Sequence, residues 1–78
     1  MAVELTKEEE KTEWYSVLGL ESTADDAAIS KAFKKLSLRW HPDKNQGSKE
    51  AEKMFMMVKE AKNFLLDAKK RKIYDEKR

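Results

Sequence analysis

The chain has 78 residues, no cysteine, two glycines and one proline, with 17 basic side chains against 15 acidic ones for a net charge of +2. That length makes one domain near the lower limit of what folds without a staple, and the missing cysteines exclude a disulfide framework or a thiolate metal centre. So few turn formers leave a turn-rich β architecture little to build with, and so even a charge balance makes the position of the charges, not their sum, the thing to read.

The elements expected in chain order are all helical. Residues 1–11 (MAVELTKEEEK) are charged without a clear apolar period, so they read as a flexible, frayed lead-in with room for some nascent helix. The stretch TEWYSVLGL brings Trp14, Tyr15, Val17 and Leu18 together and stops at Gly19, predicting a short helix over about 12–18. A second helix is expected over about 23–40, opened by Thr23 and Asp26 as a capping pair, with Asp25 and Asp26 where the helix dipole favours acids. At 100° per residue its core stripe is Ile29, Ala32, Phe33, Leu36 and Trp40. Between Ile29 and Trp40 lie four cations, Lys31, Lys34, Lys35 and Arg39, and no acid.

Pro42 biases His41 away from helical angles, so the helix should end near Trp40, and the turn formers from His41 to Gly47 must make a loop. Ser48 caps the third helix, about 48–66, with Glu50 and Glu52 in its first turn and an apolar stripe of Ala51, Met54, Phe55, Val58, Ala61 and Leu65. A loop this short predicts that the second and third helices form an antiparallel pair. The closing DAKKRKIYDEKR has only Ile73 and Tyr74 as large apolar residues, so a short, weakly anchored helix is expected over about 68–76. The chain shows no internal repeat, no second domain and no apolar run near the roughly 18 residues of a membrane span. Its first residues also lack the apolar core of a signal peptide.

Three residues break their helix's pattern. Leu38 lies about 180° from Ile29, in the middle of the basic face. It is either a tolerated surface leucine or an apolar anchor ringed by cations, the composition of a contact patch. Met56 falls on the polar side of the third helix, where one adaptable methionine needs no explanation. Lys62 falls near the centre of that helix's apolar stripe, where its stem covers the core edge and its ammonium reaches water.

Much chemistry is excluded. One histidine without cysteine makes no ordinary zinc site, and neither GxxxxGK[ST] nor GxGxxG occurs, so no metal or nucleotide cofactor is expected. A hydrolase needs nucleophile, base and oxyanion donors converging from a rigid scaffold. His41 and Asp43 with a nearby serine offer only a loop, so no catalytic residue is assigned. The paired acids Asp25–Asp26 and Glu8–Glu10 sit at a helix start or in the lead-in, where capping or solvation explains them. By residue type alone His41-Pro42-Asp43 reads most simply as a turn, with Asp43 bonding backbone amides. The alternative follows from context: a cationic helix with an apolar residue on its face runs directly into this loop, and the two can form one docking surface.

The motifs in order carry a family likeness. WYSVLGL resembles the D-Y-Y-x-x-L-G-V of the J domain of DnaJ co-chaperones. ISKAFKKLSLRWHPDKN is similar to I-x-x-A-Y-R-x-L-A-x-x-x-H-P-D-K-N, MFMMVKEAKNFLLD to K-F-x-x-I-x-x-A-Y-x-x-L-x-D, and KKRKIYD to Q-K-R-x-x-Y-D. The likeness runs from Trp14 to Asp75 and places a J domain at 12–78. It implies an all-α J-domain bundle and a module that is not itself an enzyme: it docks on a DnaK-type, seventy-kilodalton heat-shock chaperone and stimulates that partner's ATP hydrolysis. Carried over, His41, Pro42 and Asp43 are the triad of the docking loop. Lys31, Lys34, Lys35 and Arg39 belong to the docking helix with Phe33 as its aromatic and Leu38 as its apolar position, and Lys44, Asn45 and Phe55 complete the contact set. Phe33 lacks the hydroxyl of the family's common tyrosine, Ser30 stands where a basic residue is frequent, and Lys62 replaces a common tyrosine.

The resemblance also implies a monomer that meets client proteins only through regions outside this chain, without membrane contact. A cytoplasmic or nuclear location is the default expectation. With no glycine/phenylalanine-rich segment and no zinc-finger cysteines, the chain reads as an excised J domain or as part of a J protein continuing beyond Arg78. The competing reading is a small basic helical module that binds nucleic acid through the second helix. It is weakened by the slight net charge and by the need for Trp40 in the core stripe.

Overall fold

The computed structural model describes residues 3–77. Among these the regular structure is entirely helical: α1 (Lys7–Lys11), α2 (Trp14–Val17), α3 (Asp26–Arg39), α4 (Lys49–Leu66) and α5 (Ala68–Glu76). The helices predicted over 12–18, 23–40, 48–66 and 68–76 are thus α2 to α5. The helices α3 and α4 pack most extensively, and they run antiparallel. The His41 ring, just past the end of α3, meets Phe55 near the start of α4, while Phe33 further back on α3 meets Lys62 further along α4.

Local chemistry sets the helix ends. Ser48 Oγ accepts the Ala51 amide at 3.1 Å, as its position predicts. Gly19 stops α2 with φ +68°, a left-handed angle that side chains disfavour. The start of α3 differs from expectation: Asp25, not Thr23, is the N-cap, its carboxylate accepting the Ala28 amide at 2.8 Å. The carboxylate both fills the cap and faces the helix dipole with a full charge, so the helix begins after it. One Asp67 oxygen accepts the Lys69 and Lys70 amides, both at 3.1 Å, so the residue that ends α4 also starts α5.

The core draws Trp14, Tyr15 and Leu18 from α2 and the turn after it, Ile29 from α3, Val58, Ala61, Phe64 and Leu65 from α4, and Tyr74 from α5. The other members of the predicted α3 stripe, Ala32, Phe33, Leu36 and Trp40, are only half-buried against it. Phe64 lies outside the predicted α4 stripe yet is buried. It stacks on Trp14 with centroids 4.9 Å apart and meets Tyr74 edge-on at 5.4 Å. The physical reason is that α4 has neighbours on two sides, α3 along one and α2 with α5 along the other, so its apolar arc is wider than a single stripe.

Two further expectations need correction. Residues 7–11, read as part of a flexible lead-in, form α1 with a complete capping box: Glu9 N donates to Thr6 Oγ1 at 3.1 Å and Thr6 N donates to Glu9 Oε1 at 2.9 Å. The Trp14 indole donates to the Glu9 carbonyl at 2.9 Å, and Lys70 and Lys77 reach Glu9 and Glu10 at 2.9 and 2.8 Å. Second, α5 is firmly held despite its few apolar residues. Tyr74 is buried, and its hydroxyl donates to the Thr12 carbonyl at 2.7 Å. Arg71 donates to the Tyr15 hydroxyl at 2.9 Å and to the Ser22 and Ala24 carbonyls, and it pairs with Asp26 and Asp75. Tyr15 in turn donates to Asp75 at 2.7 Å. Charged side chains with apolar stems and fixed hydrogen bonds supply the anchoring that hydropathy does not register.

Candidate functional site

The basic helix α3 ends in a loop that ties off its own carbonyls. Asn45 does most of this: its side-chain amide donates to the Arg39 carbonyl at 2.9 Å and to the His41 carbonyl at 3.0 Å. The Lys44 and Asn45 amides also donate to the His41 carbonyl, at 3.0 and 3.2 Å. This turn is therefore closed by Asn45 rather than by Asp43. The Asp43 carboxylate bonds no backbone amide among the described residues, and its side chain is 89% exposed. Its backbone amide donates to His41 Nδ1 at 3.2 Å. The Asp43 carboxylate lies 3.7 Å from that same Nδ1, a contact that becomes an ion pair only when the imidazole is protonated. The loop thus presents an outward carboxylate on a backbone fixed by Pro42 and by the hydrogen bonds around it.

His41 seats the loop on α4, its ring meeting Phe55 edge-on with centroids 5.8 Å apart. This brings His41, Pro42, Asp43, Lys44, Asn45 and Phe55 together at one end of the helix pair. Along α3, Lys31, Lys34, Lys35 and Arg39 are all exposed, and none forms an ion pair among the described residues. Leu38 is 53% exposed beside them. They do not form a single face. Lys31, Lys35 and Arg39 line a groove against Leu18, Gly19 and Leu20, while half-buried Phe33 lies on the α4 side. At 100° per residue, Lys34 and Leu38 fall between the two rows.

On the α4 side the structure adds two cations that the sequence reading gave no role in the site. The Lys62 ammonium lies 4.5 Å from the Phe33 ring centre, and that of Lys59 lies 5.7 Å from the Phe55 ring centre. A signal existed for both: Lys59 is four residues after Phe55, and Lys62 interrupts the apolar stripe where it faces α3. Among the described residues no cluster of acids and histidine suits a metal ion, and no helix is long and apolar enough to cross a membrane.

The model of one family, the DnaJ domain, matches residues 13–75. The chain belongs to the DnaJ domain family. The match takes in α2 to α4, all but the last residue of α5 and the whole of the His41–Asn45 loop, and α1 lies before it. A J domain is a regulatory co-chaperone module, and the helical bundle is the fold that the motifs imply. The family's general partner is a seventy-kilodalton heat-shock chaperone.

Proposed function

We propose that this J domain docks on the ATPase domain of a DnaK-type chaperone through the His41–Asn45 loop and the exposed side of α3, and that docking accelerates ATP hydrolysis there. One observation carries the reading: the Asp43 carboxylate stands in solvent, unused by the loop's own hydrogen bonds, at the end of a helix whose exposed cations have no ion-pair partner among the described residues. Chemically, such a surface matches an acidic groove that carries one cation, best an arginine able to take a carboxylate in a bidentate pair. The α3 cations raise the encounter rate in a salt-sensitive way. Because Asn45 and Pro42 already order the loop, little conformational entropy remains to be lost on docking. Leu38 then supplies apolar contact within the charged rim. Catalysis stays with the partner, whose conformational equilibrium the docked J domain shifts.

The test is steady-state ATP hydrolysis by DnaK-type chaperones titrated with the chain. A saturable increase that weakens as salt rises is the expected result. No increase with any of several such chaperones would overturn the proposal.

A further inference from the structure

One side of α3 forms a groove that extends beyond the proposed docking surface, to Leu18, Gly19, Leu20 and Ala28. Leu18, Gly19 and Leu20 make one wall, and Ala28, Ala32 and Leu36 of α3 make the floor. Lys31, Lys35 and Arg39 edge the groove, which encloses about 440 Å³. No acid lines it, and none of its three cations has an ion-pair partner among the described residues. These cations recur every four residues, so they climb α3 in steps of about 6 Å.

We propose that this groove binds an amphipathic helical segment of a partner polypeptide, with apolar residues on one side and acids flanking them. The charge selects the occupant. A second copy of this chain would bring cations against cations, and a wholly apolar segment would leave three charges partly desolvated without partners. Acids one helical turn apart match the step of Lys31, Lys35 and Arg39. A helix also fits better than an extended strand: the groove is walled by side chains and a helix, with no strand edge to receive a bound strand's amides and carbonyls, whereas a helix satisfies its own. From Ala28 to Arg39 the groove runs about 16 Å, three turns of such a helix. The groove shares Lys31, Lys35 and Arg39 with the chaperone-docking surface and is distinguished from it by Leu18, Leu20 and Ala28, which that surface does not include.

The probe is a synthetic helical peptide of about four turns, with leucines at i, i+3, i+4 and i+7 and glutamates flanking them. Amide resonances of the full chain are followed on titration, with a second peptide carrying lysine in place of glutamate as control. Saturable shifts at Leu18, Gly19, Leu20, Ala28 and Ala32 are expected from the acidic peptide alone, weakening with salt, while Asp43 and Lys44 stay in place. Ala28→Glu puts a carboxylate on the groove floor at a position where glutamate suits a helix start, and it should weaken binding at least tenfold. Lys31→Glu, on the exposed rim, should do the same without touching the floor. Equal binding of the lysine peptide, shifts centred elsewhere, concentration-dependent shifts without peptide, or no binding at millimolar peptide would each overturn the proposal.

Discussion

Replacing Phe64 should damage this fold although the apolar stripe read from the sequence omits it. The ring is 5% exposed, stacked on Trp14 and edge-on to Tyr74, at the junction of α2, α4 and α5. Truncation to alanine removes its burial and leaves a cavity, a loss of about 3–5 kcal/mol. A chain of this length has a total stability of about 4–12 kcal/mol, so Phe64→Ala should leave a large unfolded fraction or an unfolded chain. Phe64→Leu is the more informative variant. It keeps most of the apolar area but removes two aromatic contacts worth about 0.5–1.5 kcal/mol each, for an expected loss of about 1–3 kcal/mol. With a urea slope of about 1 kcal/mol/M for a small domain, the unfolding midpoint should fall by roughly 1–3 M. Met56→Ala, at a side chain 61% exposed, is the control and should stay within about 0.5 kcal/mol of the parent. A Phe64→Leu midpoint indistinguishable from that control would refute the three-helix junction.

Two other outcomes follow from the contacts. Asn45→Ala strips two side-chain hydrogen bonds from the end of α3, so it should cost about 1–2 kcal/mol in denaturant unfolding and weaken chaperone docking although Asp43 is untouched. An unchanged docking affinity would show that the loop needs no such tie. The contact of α1 with α5 should depend on pH at both ends. The Glu9 carboxyl is held below its usual range by its backbone hydrogen bond from Thr6 and then by the Lys70 ammonium, and Glu9 raises the Lys70 pKa through their hydrogen bond. The Glu9 contribution is therefore complete above the ordinary carboxylate pKa and lost as pH falls through the lowered one. The Lys70 contribution is complete below the ordinary lysine pKa and lost as pH rises through the raised one. Exchange of the Trp14 indole hydrogen, corrected for its intrinsic pH dependence, should be slowest between those limits, and Lys70→Gln should abolish the alkaline limb.

The long elements were readable because their signals are local. Ser48 caps the residues that follow it, Gly19 terminates the turn it sits in, and Ile29, Val58, Ala61 and Leu65 recur with the helical period. What escaped was held from far away. The partners of α1 and α5 are some sixty residues apart in the chain, as in Glu9 with Lys70, Tyr15 with Asp75 and Thr12 with Tyr74. No window of periodicity contains both members. Phe64 was missed for a related reason, since the width of a buried arc depends on how many neighbours a helix has. Thr23 and Asp25 both have cap chemistry and lie two residues apart, and only the backbone decides between them.

The candidate site divides in the same way. Its triad was visible as a motif, and the exposure of Leu38 and of the α3 cations followed from helical angle. That Asn45 rather than Asp43 closes the turn, that Lys59 and Lys62 lie over the two aromatics, and that Lys31, Lys35 and Arg39 share a groove with Leu18 and Leu20 all depend on packing between elements.

The most direct measurement is single-turnover ATP hydrolysis by a DnaK-type chaperone alone, with the chain, and with its Asp43→Asn variant. Asparagine keeps the size and turn preference of aspartate and deletes only the charge, while the Asn45 hydrogen bonds remain to hold the loop. Acceleration by the parent chain and none by Asp43→Asn is the predicted result. Equal acceleration by both would contradict the role given to the exposed carboxylate.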